Sequence, residues 1–234
     1  MDCIIFLTHN FTNEFLNTLS KVNSDANVKK YDIIVLFDNN NDYDNSINNK
    51  FKNIKIIKIN RINSSYDKLG HTMYLNYFKI NYECISKYRY IWIIENDVYY
   101  PKSFINFIEI HNVYDHDLLV SEYGLRTPQW SCNNVLKGFK NNQKIGVLAV
   151  IIRFSQKMLL KLIDKIDKEY FGFLEAILPH ICLENNLTIQ QFLPEKCGIL
   201  TTDKNLPLLK IISMDIVNNT RKYLEDKIYH PIKL

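Results

Sequence analysis

The 234-residue sequence has little glycine or proline, six of each, and no stretch as long and apolar as a membrane-spanning helix. Its first apolar segment, Ile4 to Leu7, is too short for the hydrophobic region of a secretion signal. A soluble, cytoplasmic protein is the expectation from those two absences. Cysteine supplies no scaffold either. Five cysteines, Cys3, Cys84, Cys132, Cys182 and Cys197, lie far apart, with no CxxC or Cys/His spacing. The odd count and the scatter argue against disulfides and structural zinc and predict reduced thiols. The formal charge is only +4 and no basic run is concentrated enough for nucleic acid, although a mild positive excess suits a small anionic substrate. No repeat, linker or low-complexity boundary appears, so residues 1–234 read as a single domain with a substantial core. What is abundant, Asn, Ile, Lys and Tyr, shares AT-rich codons and reflects coding bias more than function.

The apolar segments alternate between strand and helix signals. Cys3 to Leu7 is a short buried-type strand closed by Thr8, His9 and Asn10. Phe11, Phe15, Leu16, Leu19 and Val22 then repeat at helical spacing. Asp32 to Phe37 is a second strand, ended by Asp38, and Ile54 to Ile59 a third, after an Asn/Asp-rich loop. A divided helical segment runs from a cap at Asn63 to Ser65, past Gly70, to Ile85. Strand, helix, strand, loop, strand is the opening of a doubly wound α/β domain, a mainly parallel sheet flanked by helices. Further on, Pro101 is expected to start a helix burying Phe104, Phe107 and Ile108. Strands follow at Leu118 to Tyr123 and Val147 to Phe154, and Ser155 caps a helix burying Met158, Leu159, Leu162, Ile163 and Ile166. Leu187 to Leu193 and Leu206 to Ile212 are strand-like, and Met214 to Lys227 is helical in spacing.

One stretch carries chemistry. Ile91 to Ile94 is an unbroken apolar run, the mark of a strand buried on both faces, and it ends in Glu95, Asn96 and Asp97. In open α/β sheets ligands sit beyond the carboxyl ends of the strands. Two carboxylates spaced one apart at such an end suit a hard cation, Mn2+ or Mg2+, that shares its remaining sites with substrate phosphates. An acidic turn without a ligand is the plain alternative. Asp38 at the end of the second strand is open in the same way, either a ligand contact or a turn residue. Glu175 is a single acid in the apolar stretch Phe171 to Cys182, after Gly172 and near the expected start of a helix. There the helix dipole keeps a carboxylate charged, or the side chain caps its own helix. The long polar segment from Gly124 to Gly146 holds Arg126 and Trp130, the latter either buried or presented to a sugar face.

Trp92 to Tyr99, with its Glu95-Asn96-Asp97 core, resembles the DxD-type motif of nucleotide-sugar glycosyltransferases with the GT-A fold, most closely the small enzymes of this kind encoded by large DNA viruses. The first acid is Glu rather than Asp. The resemblance extends from the first strand to the C-terminal His230-Pro231 and implies a GT-A, Rossmann-like fold. It implies a metal-dependent glycosyl transfer, from a nucleotide sugar such as a UDP-sugar to a hydroxyl of a glycan or glycoprotein acceptor. In that frame Asp97, Glu95 and His230 hold Mn2+ (or Mg2+). Thr8, His9, Asp38, Glu95, Asn96 and Lys233 face the donor, with His71 and Asn76 nearby. The GxxExxxP pattern around Glu175 is similar to the segment that supplies an active-site acid. That acid acts as general base if transfer inverts, or orients the sugar if it retains. Two rivals stand beside this reading. A nucleotidyltransferase uses similar acids but usually a Gly-rich loop after its first strand, and Thr8 to Phe11 contains no glycine. A catalytically silent nucleotide-sugar or carbohydrate-binding module keeps the fold without the chemistry.

Overall fold

The computed structural model describes residues 1–38, 42–60, 71–126, 145–167, 174–200 and 227–230. Its centre is a seven-stranded sheet in the order β3-β2-β1-β4-β6-β5-β7. These strands are β1 (Asp2–Thr8), β2 (Tyr31–Asp38), β3 (Ile54–Ile59), β4 (Tyr90–Glu95), β5 (Leu118–Leu125), β6 (Ile145–Ser155) and β7 (Ile189–Gln191). β3, β2, β1 and β4 run parallel, and only β6 reverses, pairing antiparallel with both β4 and β5. The sheet is mixed but mainly parallel, as the alternation of apolar runs and helical spacings predicts.

Period-two alternation sends each central strand to two cores. Cys3, Ile5 and Leu7 of β1, with Ile91 and Ile93 of β4, face one core with Tyr74, Phe78, Met158, Leu162 and Ile181. Ile4, Phe6, Trp92 and Ile94 face the other, with Phe15, Leu19, Phe104 and Phe107. Being buried on both sides is why these strands read as unbroken apolar runs. The helices covering the first face are α3 (His71–Ile80), α6 (Gln156–Asp167) and α7 (Leu174–Glu184), and those covering the second are α1 (Asn13–Asn23) and α5 (Phe104–His111). Short helices α2 (Ser46–Lys50) and α4 (Tyr82–Ile85) complete the described set.

Local chemistry sets the helix ends. Thr12 accepts a hydrogen bond from the Phe15 amide and starts α1. Ser155 does the same for Met158 at 3.1 Å, as its sequence position predicts, while its own hydroxyl donates to Asp117. The expected start at Pro101 moves to Phe104, because Ser103 accepts from the Ile105 amide and takes the N-cap. Asn81 divides the expected helix at 71–85 into α3 and α4, its side-chain amide folding back onto the Tyr77 carbonyl. A cap at Ser64, the division at Gly70, Trp130, the Phe171–Phe173 segment, the strand at 206–212, the helix at 214–226 and Lys233 lie outside the described residues. Among the described helices none is long and apolar enough to cross a membrane.

The last described piece, β9 (Ile228–His230), is strand rather than frayed tail. It pairs parallel with β8 (Cys197–Leu200) and is buried along its length.

Candidate functional site

The parallel registers place three strand ends side by side. Leu7 of β1 stands opposite both Leu36 of β2 and Glu95 of β4, so Thr8, Asp38 and Glu95 close the same edge of the sheet. At that edge β4 turns sharply, the Val98 amide donating to the Glu95 carbonyl at 3.2 Å. Tyr99 then exchanges two backbone hydrogen bonds with Tyr229 of β9, at 2.8 and 2.9 Å. Asp97 lies two residues before one side of this bridge and His230 one residue after the other. The consequence is a cluster built from positions far apart in sequence.

In that cluster His230 Nε2 is 3.3 Å from Asp97 Oδ1 and 3.5 Å from Glu95 Oε2. One ligand atom from each residue lies within 4.8 Å of the others. The histidine side chain is 5% exposed, Glu95 20% and Asp97 33%, so the acids keep a route to solvent while the ring forms the inner wall. Burial pushes the His230 pKa down, but the hydrogen bonds and charges of Asp97 and Glu95 outweigh it and raise it to about 9. The ring is therefore an imidazolium when only protons compete for the site. Two carboxylate oxygens and one imidazole nitrogen form a donor set that fits a divalent first-row cation such as Mn2+, which would take the place of that proton.

Beside this cluster the β1–α1 turn is shaped by Thr8, whose hydroxyl accepts from the Asn10 amide at 3.1 Å and donates to the Asn10 carbonyl. His9 beyond it is exposed, and Asp38 is buried with 3% exposure. An aromatic group next to them escapes sequence reasoning. Phe11 stacks on Phe37 with centroids 5.3 Å apart and planes within 4°, and Tyr43 tilts against both, at 5.1 and 4.6 Å. In the sequence Phe11 belongs to a helical spacing and Tyr43 to a polar loop. The available signal is an aromatic residue just past each of two adjacent strand ends.

Glu175 sits half-buried in the first turn of α7, between buried Leu174 and Ala176, and it is not part of the Glu95–Asp97–His230 cluster. Pro179, four residues on, removes the amide that would bond the Glu175 carbonyl. The next residue, His180, turns its Nδ1 to the Ala176 carbonyl at 2.7 Å. Of the other expected contacts, Asn96 is half-buried in the turn after β4. Asn76 donates to the Asn60 carbonyl at 2.8 Å, a structural bond. Arg126 pairs with Glu122 at the end of β5. His71 begins α3.

No protein-family model matches the chain, and no curated protein matches it in sequence. Solved structures do. The galactosyltransferase LgtC, in complex with donor and acceptor sugar analogs, is 12% identical over 100% of this chain and 87% of that one, with a TM-score of 0.53. An active-site mutant of LgtC is 11% identical over 100% of this chain and 88% of that one, with a TM-score of 0.54. The 4-diphosphocytidyl-2C-methyl-D-erythritol synthase of Anaerococcus prevotii is 10% identical, covers 93% of this chain and 95% of that one, and has a TM-score of 0.50. With its mixed seven-stranded sheet, single reversed strand and flanking helices, the chain has the GT-A fold.

Proposed function

We propose that the protein is a metal-dependent glycosyltransferase that moves a sugar from a nucleotide sugar, such as a UDP-sugar, to a hydroxyl of a glycan or glycoprotein. The observation that carries this reading is the meeting of Glu95, Asp97 and His230 at the carboxyl edge of a GT-A sheet, where a diphosphate is expected. Mn2+ or Mg2+ held by these three residues would supply Lewis-acid stabilisation of the diphosphate leaving group. The protein's own residues do the remaining work. Thr8 fixes the turn that borders the donor, and Asp38, His9 and Asn96 line its nucleoside side. Phe11 and Tyr43 offer flat faces for a base, a contact that tolerates any base but rewards planarity. Lys233, three residues beyond His230, adds a point charge for the diphosphate. Glu175, in the first turn of α7, takes the acceptor proton if transfer inverts, or orients the sugar if it retains.

Nucleotidyl transfer is the rival, and the fold shared with the diphosphocytidyl-methylerythritol synthase favours it as much as the sheet alone allows. The turn from Thr8 to Phe11, which lacks glycine and is closed on itself by the Thr8 hydroxyl, counts against it. A panel of nucleotide sugars and nucleoside triphosphates with Mn2+ separates the two. Release of UDP from one or more UDP-sugars supports glycosyl transfer. Release of pyrophosphate from a triphosphate with no UDP release refutes it.

A further inference from the structure

The segment between β4 and α5 carries Asp97, two residues after Glu95, and it is held from outside by one residue of α1. Lys21, half-buried, donates from Nζ to the Pro101 carbonyl at 2.8 Å across 80 residues of sequence. The same ammonium lies 5.3 Å from the centroid of the Tyr99 ring. Its grip therefore spans Tyr99 to Pro101, the part of the segment that forms the backbone bridge to Tyr229.

We propose that Lys21 is a positioning residue for the cation site: by fixing Tyr99 to Pro101 it holds the Tyr99–Tyr229 bridge in register and so sets His230 against Asp97 and Glu95. This rests on the reading of those three residues as cation ligands. The geometry runs in one direction. The turn at Glu95 to Val98 is closed by a single backbone bond at 3.2 Å, and β9 is three residues long. β9 is buried and paired with β8, but a three-residue strand leaves the position of its far side dependent on how firmly the Tyr99 side of the bridge is held. Lys21 supplies a charge-assisted hydrogen bond and a ring contact from a helix whose apolar face is anchored by Phe15, Leu19 and Val22.

Charge alone would act in the opposite sense. A lysine near a divalent ion repels it, so simple removal of its charge would tighten ion binding. Positioning requires the reverse. The test uses the full chain as wild type, Lys21→Met, Lys21→Arg and Tyr99→Leu, the last keeping the bridge backbone while deleting the ring under the ammonium. Mn2+ affinity is measured from the electron paramagnetic resonance signal of the free ion. Hydrogen exchange is followed in chelator for peptides covering Tyr99 and Tyr229, with melting temperature as a control on folding. The expected result is a Kd for Mn2+ weakened about fivefold or more in Lys21→Met, and weakened in Tyr99→Leu. Exchange should be faster at the bridge but not in β1 or β2, and Lys21→Arg should restore both. Wild-type or tighter Mn2+ binding by a folded Lys21→Met, with unchanged exchange at the bridge, overturns the positioning role. A wild-type protein that takes up no Mn2+ instead overturns the cation-site reading, and this role with it.

Discussion

His111 makes the fold's response to acid calculable. It is fully buried at the end of α5, packed on Phe107 and Phe192 with centroids 4.3 and 5.0 Å away. Nδ1 meets the Phe107 carbonyl at 2.8 Å, and Nε2 accepts from the Leu193 amide at 3.1 Å. Those partners assign a neutral ring with its proton on Nδ1. A second proton would face an N–H donor in a buried site. Burial lowers the His111 pKa to about 4, with the charge of Arg153 adding to it and the Phe107 carbonyl opposing it. Between pH 6.5 and about 4 the unfolded chain binds a proton that the folded chain refuses, so stability falls as pH falls through that window and levels off below it. At about 1.4 kcal/mol per pH unit, the gap corresponds to a loss of about 3 kcal/mol. Other shifted groups leave the window clear. His230, raised to about 9, changes stability mainly above pH 6.5, and Asp44 and Asp117, both lowered from 3.8, act mainly at more acidic pH. Urea unfolding at pH 7, 6, 5 and 4 reads the slope in wild type and in His111→Gln. The variant should be less stable at pH 7, having lost the ring packing, yet nearly flat between pH 6.5 and 4. Equal slopes in the two proteins would refute the assignment of a buried neutral histidine.

Two further expectations concern the site. Glu175→Gln keeps the shape of the side chain and removes its basicity, so kcat should fall about a hundredfold or more with UDP-sugar affinity little changed, measured by steady-state kinetics and donor titration; normal turnover would return Glu175 to helix capping. His230→Ala should weaken Mn2+-supported UDP binding about tenfold or more in a protein that circular dichroism shows folded, and should lower its melting temperature, because the buried ring and its pairing with Asp97 and Glu95 are lost. Deletion from His230 onward, which also removes the last residue of β9, should weaken that binding at least as much, and calorimetry that finds either folded protein binding like wild type would remove the C-terminal segment from the site.

The sheet is legible in the sequence because its central strands are buried on both faces. Continuous apolar runs at Ile33 to Phe37 and Ile91 to Ile94 leave little choice of structure. Element ends are less legible where a side chain decides them: Ser103 outcompetes Pro101 for the start of α5, and Asn81 divides α3 from α4. The acids of the site are visible as a local motif, since two carboxylates at the end of an apolar strand need no distant partner to be noticed. The Tyr99–Tyr229 bridge is not, because a pairing between positions so far apart leaves no periodic signal. His230 is reachable only through family resemblance, and Lys21 not at all, as a lysine on a helix face ordinarily points to solvent. Phe11, Phe37 and Tyr43 share no spacing along the chain and meet only once β1 and β2 pair.

The most direct measurement of the central claim is calorimetric titration of UDP into the wild-type protein and into Asp97→Ala, each with Mn2+ and with chelator. Mn2+ should tighten UDP binding to the wild type, and that gain should vanish in an Asp97→Ala protein whose circular dichroism and melting temperature show it folded. An undiminished Mn2+-dependent affinity for UDP in folded Asp97→Ala would contradict the claim, because the carboxylate just past the end of the central strand would then not hold the ion.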